Sequence, residues 1–314
     1  MDNVIVLGNG FDIDLGLKTS FKSFVESFEF LSIPDIPLIK KIKERSVENW
    51  YDLEGLLRNE LIAYSLSPSV ECAEDVNNAW LMITKAWGRY LPELTDLDKI
   101  SINKNSCAYH LLLVDEAHES SWYTFNYTDP WYLCKMYSQK KAVYIHNENI
   151  PLDWAKHHGF MYKTPTNLII GVDNMEPPCI SSNTHLSRII KTKNPHFQKG
   201  MKENVVERLF TADNVVIFGQ SLGITDSDYF KPYFRGIIEG KIKRQNIFIV
   251  THNEESFSNI YSNMQENGKK IKEKLNCDIL EIKTVIPYSE DYDTVVNDEQ
   301  NSEASNHLPE IQDI

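Results

Sequence analysis

Residues 4–21 read VIVLGNGFDIDLGLKTSF, and this stretch decides the fold. Val4–Leu7 is a short apolar run rich in β-branched residues and closed by Gly8, the pattern of a strand buried on both faces of a parallel sheet. Gly8 and Gly10 allow a sharp turn and a close backbone approach to a pyrophosphate near helix N-terminal amides. The same pair also suits a tight strand exit with no ligand. The ordinary dinucleotide fingerprint needs a third glycine where Ile13 stands, and the next glycine is Gly16. Thr19 to about Phe30 reads as one helix, with Phe21, Phe24, Val25 and Phe28 on a single face and Thr19 or Ser20 as its cap.

Outward from this stretch, Pro34 and Pro37 break the chain, and residues 37–90 carry helical periodicity. They form the bulk of a helical insertion of three or four helices, placed at about residues 37–118. Strand signals return at 121–125 (SWYTF), 142–145 (AVYI), 167–170 (NLII), 214–218 (NVVIF), 246–250 (NIFIV) and 281–285 (EIKTV). Helix-like segments lie at 129–136, 197–209 and 255–275. Alternation of short apolar strands with helices predicts an α/β domain with a mostly parallel sheet over residues 1–288.

The net charge is −13, and residues 290–314 hold eight acids with no Lys or Arg, leaving the remainder near −5. Residues 289–314 read as an acidic, disordered tail. The acidic balance disfavours nucleic acid as the main partner, with local basic patches at 191–202 and 241–244 as exceptions. No apolar run reaches the ~18–20 residues that span a bilayer, and no signal-type segment opens the chain, so a cytoplasmic protein with no membrane partner is expected. The cysteines are Cys72, Cys107, Cys134, Cys179 and Cys277, with no Cys-x-x-Cys. That odd, scattered set fits incidental thiols rather than disulfides or structural zinc.

Parallel strands place their carboxyl ends together, where α/β sheets bind ligands. Four such ends carry suggestive residues: Gly8-Asn9-Gly10, Asn126, His146 and Gly219-Gln220-Ser221. Asn126 offers a donor and an acceptor for a ribose hydroxyl or a water, although Asp129-Pro130 beside it also suits an ordinary helix start. His146 is placed as a base near neutral pH, and a strand-end histidine can equally be structural. The adjacent His157-His158 lacks metal-ligand spacing with it. Small residues after residue 218 suit a phosphate or ribose, while Asp226 or Asp228 could cap the following helix.

In joint order these anchors resemble two known patterns. Gly8-x-Gly10-x5-Gly16-Leu17 is similar to the first motif of sirtuin-type NAD-binding domains. Asn126 resembles the asparagine of the sirtuin Thr-Gln-Asn-Ile-Asp motif, His146 the catalytic histidine, Gly219-x-Ser221-Leu222 the Gly-Thr-Ser-Leu turn, and Asn253 the asparagine after the last nucleotide-binding strand. A closer resemblance is to the AbiH-like family of bacterial abortive-infection proteins, carried by GNGFDIDLGLKTSF, WYDLE, SWYTFNYT, YIH and IFGQSLGITDSDYF across about residues 4–254.

The resemblance implies a sirtuin-like Rossmann sheet with a helical insertion; without a cysteine quartet, the sirtuin zinc module is not expected. It implies an anti-phage effector that hydrolyses NAD, a substrate and not a cofactor, at the nicotinamide–ribose bond. Gly8, Asn9, Gly10, Gly219, Ser221, Leu222, Asp226 and Asn253 would then hold the pyrophosphate and adenosine. Phe11 and the loop from Gly16 to Thr19 would cover the nicotinamide ribose, with Asp12 beside it. Asn126 and His146 would be catalytic. The chain departs from the patterns at Lys18, Thr128, Asn147 and Gln220. A catalytically inactive sensor of NAD or ADP-ribose-type nucleotides, and an effector acting on nucleic acid or translation, are the alternatives. An unregulated NAD hydrolase would kill its host, so autoinhibition through a homo-oligomer, a defence-system partner or a ligand is expected.

Overall fold

Six strands, β1 (Asn3–Leu7), β2 (Ser120–Thr124), β3 (Val143–Tyr144), β4 (Asn214–Phe218), β5 (Gln245–Val250) and β6 (Leu280–Val285), form one sheet in the order β3-β2-β1-β4-β5-β6. Every pairing is parallel. The structure is a computed structural model that describes residues 2–45, 53–94, 96, 98–115, 120–136, 142–146, 168–172, 180, 183–193, 201–242, 245–252, 254–267 and 280–285. Its helices are α1 (Asn9–Asp14), α2 (Phe21–Val25), α3 (Phe28–Leu31), α4 (Pro37–Arg45), α5 (Leu53–Leu66), α6 (Val70–Leu94) and α7 (Cys107–Asp115) before β2. After it come α8 (Pro130–Leu133), α9 (Met201–Thr211), α10 (Ser227–Ile238) and α11 (Glu254–Asn267).

The apolar strands bury both faces. Ile5, Leu7, Val216, Phe218, Phe248 and Val250 pack with α1, α7 and α8 through Phe11, Leu15, Leu111, Leu112 and Trp131. Their alternates Val4, Val6, Val215, Ile217, Ile247 and Ile249 pack on the other side with Leu209 of α9, Tyr229 and Tyr233 of α10 and Ile260 of α11. A third core joins α2–α6 to residues between 168 and 190. It explains the helical run of residues 37–90 as a layer with its own interior.

The structure departs from the sequence reading in three places. The helix expected over Thr19 to Phe30 is two short ones. Ser27 separates them: its hydroxyl donates to the Phe24 carbonyl at 2.6 Å and accepts from Phe30 N at 3.3 Å. Ser20, not Thr19, caps α2 by accepting from Ser23 N. Residues 168–170 are not a strand of the sheet; Leu168 and Ile170 are buried in the helical core, and Trp80 Nε1 donates to the Ile170 carbonyl at 2.8 Å. A short apolar run does not reveal by itself whether it pairs with a sheet or packs on helices. Lys191, expected in a basic surface patch, is 1 % exposed.

Among the described residues no helix is long and apolar enough to cross a membrane. Among them, too, no group of His, Cys, Asp or Glu is placed to hold a metal ion. Cys179, Cys277, Asn147, His157, His158, Asn253 and the tail at 289–314 lie outside the described residues.

Candidate functional site

Strand order reverses at β1, which lies between β2 and β4. The loops that leave β1 and β4 press together there. Gly8 N donates to the Phe218 carbonyl at 2.9 Å and Gly10 N to the Gly219 carbonyl at 3.0 Å. A Cβ on Gly8 would sit 2.5 Å from Gln220 Cα, and one on Gly10 would sit 2.6 Å from Gly219 Cα. Gly219 has φ +62° and faces the Gly10 backbone in return. Backbone meeting backbone therefore excludes side chains at all three positions. The tight strand exit is the reading that accounts for them.

Gly16 has a different cause. It follows α1 at φ +90°. Its N–H bonds the Ile13 carbonyl at 2.9 Å, and Leu17 N bonds the Asp12 carbonyl at 3.0 Å. This paired pattern is the Schellman ending of a helix, which takes glycine at the left-handed position. Two residues expected to touch a ligand are core residues instead. Phe11 is fully buried edge-on to Phe218, with ring centroids 5.0 Å apart. Leu222 is fully buried against the opposite face of the sheet. Apolar side chains at these two positions go to the core because helices cover both faces of the sheet.

Beneath the glycine loop, Asp12 joins β1 to β2. Asn126 Nδ2 donates to the Gly8 carbonyl and to Asp12 Oδ1, both at 3.0 Å, and the Thr128 hydroxyl donates to Asp12 Oδ2 at 2.6 Å. Burial pushes the Asp12 carboxyl up to about 7, against the opposing pull of hydrogen bonds from Thr128 and Asn126. The single Thr19 hydroxyl hydrogen goes to Asn9 Oδ1 at 2.6 Å. Thr128, a departure from the sirtuin pattern, is thus a partner of Asp12.

His146 stands in a second, separate constellation. Its Nε2 lies 3.2 Å from Asp226 Oδ1 and 3.1 Å from Lys191 Nζ. Lys191 Nζ donates to Asp226 Oδ1 at 2.8 Å, to Glu54 Oε2 at 2.9 Å and to the Thr225 carbonyl at 3.4 Å. Glu54 also accepts from Gly171 N at 3.2 Å. The His146 ring lies between Phe125 and Tyr127, at centroid distances of 5.3 and 5.9 Å. Burial alone would raise the Asp226 carboxyl, but the Lys191 ammonium and its hydrogen bond, with the His146 ring beside it, outweigh burial and hold it well below the usual range. Glu54, with fewer partners, stays raised by burial despite Lys191.

Gln220 links the two sets. Its Nε2 donates to Asp226 Oδ2 at 3.3 Å, while its Cα abuts Gly8. Asp226 precedes α10 but makes no side-chain cap; its carboxylate belongs to the ion cluster. Ser221 is exposed beside these loops, and its carbonyl accepts from Asn263 at 2.8 Å. The structure thus gathers Gly8, Gly10, Asp12, Asn126 and Gly219 in one set, and His146 and Asp226 in the other. Glu54 and Lys191 were not anticipated as site residues. The one sequence signal was a carboxylate inside the apolar helical run LEGLL, since an unpaired acid is costly there.

A family model described as bacteriophage abortive infection AbiH matches residues 4–252. No curated protein and no solved structure matches the chain. The matched span runs from the first strand through the loop after β5 and takes in both constellations, and on it the chain belongs to the AbiH family of bacteriophage abortive infection proteins.

Proposed function

We propose that this abortive-infection protein hydrolyses NAD at the nicotinamide–ribose bond. One observation carries the reading: strand order reverses between two glycine loops, with a carboxylate-paired histidine two strands away. Rossmann-type sheets bind dinucleotides in that crevice. The faces of Gly8, Gly10 and Gly219 are filled by backbone, so the pyrophosphate lies along Asn9, Ser221 and Gly223. His146 takes a proton from water or a ribose hydroxyl. The buried Asp12 carboxyl, held by Asn126 and raised to about 7, offsets the positive charge that develops as the glycosidic bond breaks once it has lost its proton.

A second reading, a nucleotide sensor without turnover, is favoured by a different observation. Both Asn126 amide hydrogens are already donated, and His146 Nε2 is already engaged. One assay separates the two. Purified protein is incubated with NAD, with and without lysate of phage-infected cells, and nicotinamide is followed. The hydrolase releases nicotinamide, and His146→Ala slows it roughly 10²–10⁴-fold, the usual weight of general acid–base catalysis. Intact NAD that remains bound to the wild type in both conditions selects the sensor.

A further inference from the structure

Lys191 is the most buried member of the ion cluster, and nothing in the proposed chemistry uses it. An ammonium has three hydrogens and no lone pair, so it only donates. At least four acceptors surround Lys191 Nζ: Asp226 Oδ1 at 2.8 Å, Glu54 Oε2 at 2.9 Å, His146 Nε2 at 3.1 Å and the Thr225 carbonyl at 3.4 Å. Of these four, the two carboxylates lie nearest and take two hydrogens. Between the other two, the third hydrogen goes to the nearer, His146 Nε2.

That choice fixes the imidazole. A neutral ring with Nε2 accepting carries its proton on Nδ1 and has no lone pair there. The competing arrangement has Nε2–H donating to Asp226 Oδ1 at 3.2 Å, with the Lys191 hydrogen on Thr225 and the lone pair on Nδ1. Asp226 Oδ1 already accepts a charge-assisted bond from Lys191, which weakens its hold on an Nε2 proton. Among the described residues, the charged and titratable groups around the ring are Glu54, Tyr127, Lys191 and Asp226, from four separate segments. The Tyr127 hydroxyl is held neutral by burial and bonds the Ile169 carbonyl.

We propose that Lys191, held by Glu54 of α5, is the positioning residue that decides which nitrogen of His146 carries the proton. With Lys191 seated, Nδ1 is protonated and His146 is not a base; with Lys191 withdrawn, the proton moves to Nε2 against Asp226 and Nδ1 gains its lone pair. Glu54 belongs to the helical layer, so that layer reaches the ring through Lys191. The consequence for turnover rests on the NAD-hydrolase reading; the tautomer assignment does not.

The test reads the ring directly. Histidine is labelled with ¹⁵N, the His146 signals are identified by their loss in His146→Gln, and spectra are taken where the ring is neutral. In wild type the proton is on Nδ1; a proton on Nε2 overturns the proposal with no variant required. In the double variant Glu54→Gln/Lys191→Met, which removes one charge of each sign, the proton moves to Nε2. Glu54→Gln alone keeps Lys191 and keeps the wild-type tautomer. An unchanged tautomer in the double variant refutes the assignment. Nicotinamide release is measured in parallel, and a rise of several-fold in the double variant is expected. A shifted tautomer with no release in any protein keeps the Lys191 assignment and removes the hydrolase reading.

Discussion

The two constellations at the carboxyl end of the sheet are built on opposite principles. The β1–β4 crossing is held by backbone, through glycines that let two loops touch. The cluster around His146 is held by charge, through one ammonium shared by Glu54 and Asp226. Steric exclusion leaves a mark in sequence, because only glycine fits. A buried ion cluster leaves almost none, because its members look like surface charges until the fold buries them. One aspartate in each region responds oppositely to protons: folding favours a neutral Asp12 and a charged Asp226.

The comparison predicts unequal fragility. Lys191→Met strands two buried carboxylates and should cost roughly 3–5 kcal/mol in urea unfolding, the usual consequence of breaking a buried pair from one side. Adding Glu54→Gln removes one stranded charge and should recover part of that loss. A single variant within about 1 kcal/mol of wild type, the range of an exposed pair, would mean that charge does not tie this region together.

Gly219→Ala tests the other region. The new methyl group would collide with Gly10 Cα, and the left-handed φ of +62° disfavours any side chain. Strain and overpacking together should cost roughly 2–4 kcal/mol. Gly240→Ala is the matched control. Its φ is +68°, but nothing lies within 4 Å of the added Cβ, so it should lose only the conformational share, about 1–2 kcal/mol. Equal losses would show that loop contact contributes nothing beyond backbone conformation.

The sheet was legible because residues 4–7, 215–218 and 247–250 are apolar on both faces, as buried parallel strands must be. The glycine positions were legible too, but their causes were not. Gly16 ends a helix, and a helix ending and a ligand loop ask for the same freedom in φ. Residues 168–170 look like a strand because burial against helices selects the same residues as burial in a sheet. His146 and Asp226 were picked out separately, from their places after β3 and β4. Their meeting through Lys191 depends on residues 35 to 137 positions apart in the chain, a separation that no local pattern encodes. Nothing in WYDLE marks a role for Glu54, because its partner Lys191 comes 137 residues later in the chain.

The finest distinction between the regions is a slope. Asp12 titrates near 7 in the folded protein against an ordinary 3.8. Between those values the folded chain holds the proton that the unfolded chain has released. Its contribution is therefore fully present below about 4 and is lost as pH rises toward 7, at about 1.4 kcal/mol per unit. Glu54, also raised, acts in the same direction, and Asp226, lowered, acts in the opposite one. Both remain in Asp12→Asn, so the difference between the two proteins isolates Asp12. The asparagine keeps an oxygen for Asn126 and offers an amide to Thr128, whose hydroxyl can turn to accept it. Urea midpoints measured from pH 4.5 to 7 should converge less steeply on neutral pH in Asp12→Asn than in wild type. Parallel slopes would mean that Asp12 is ionised throughout that range, and that the β1–β4 crossing, like its neighbour, rests on a fixed buried charge.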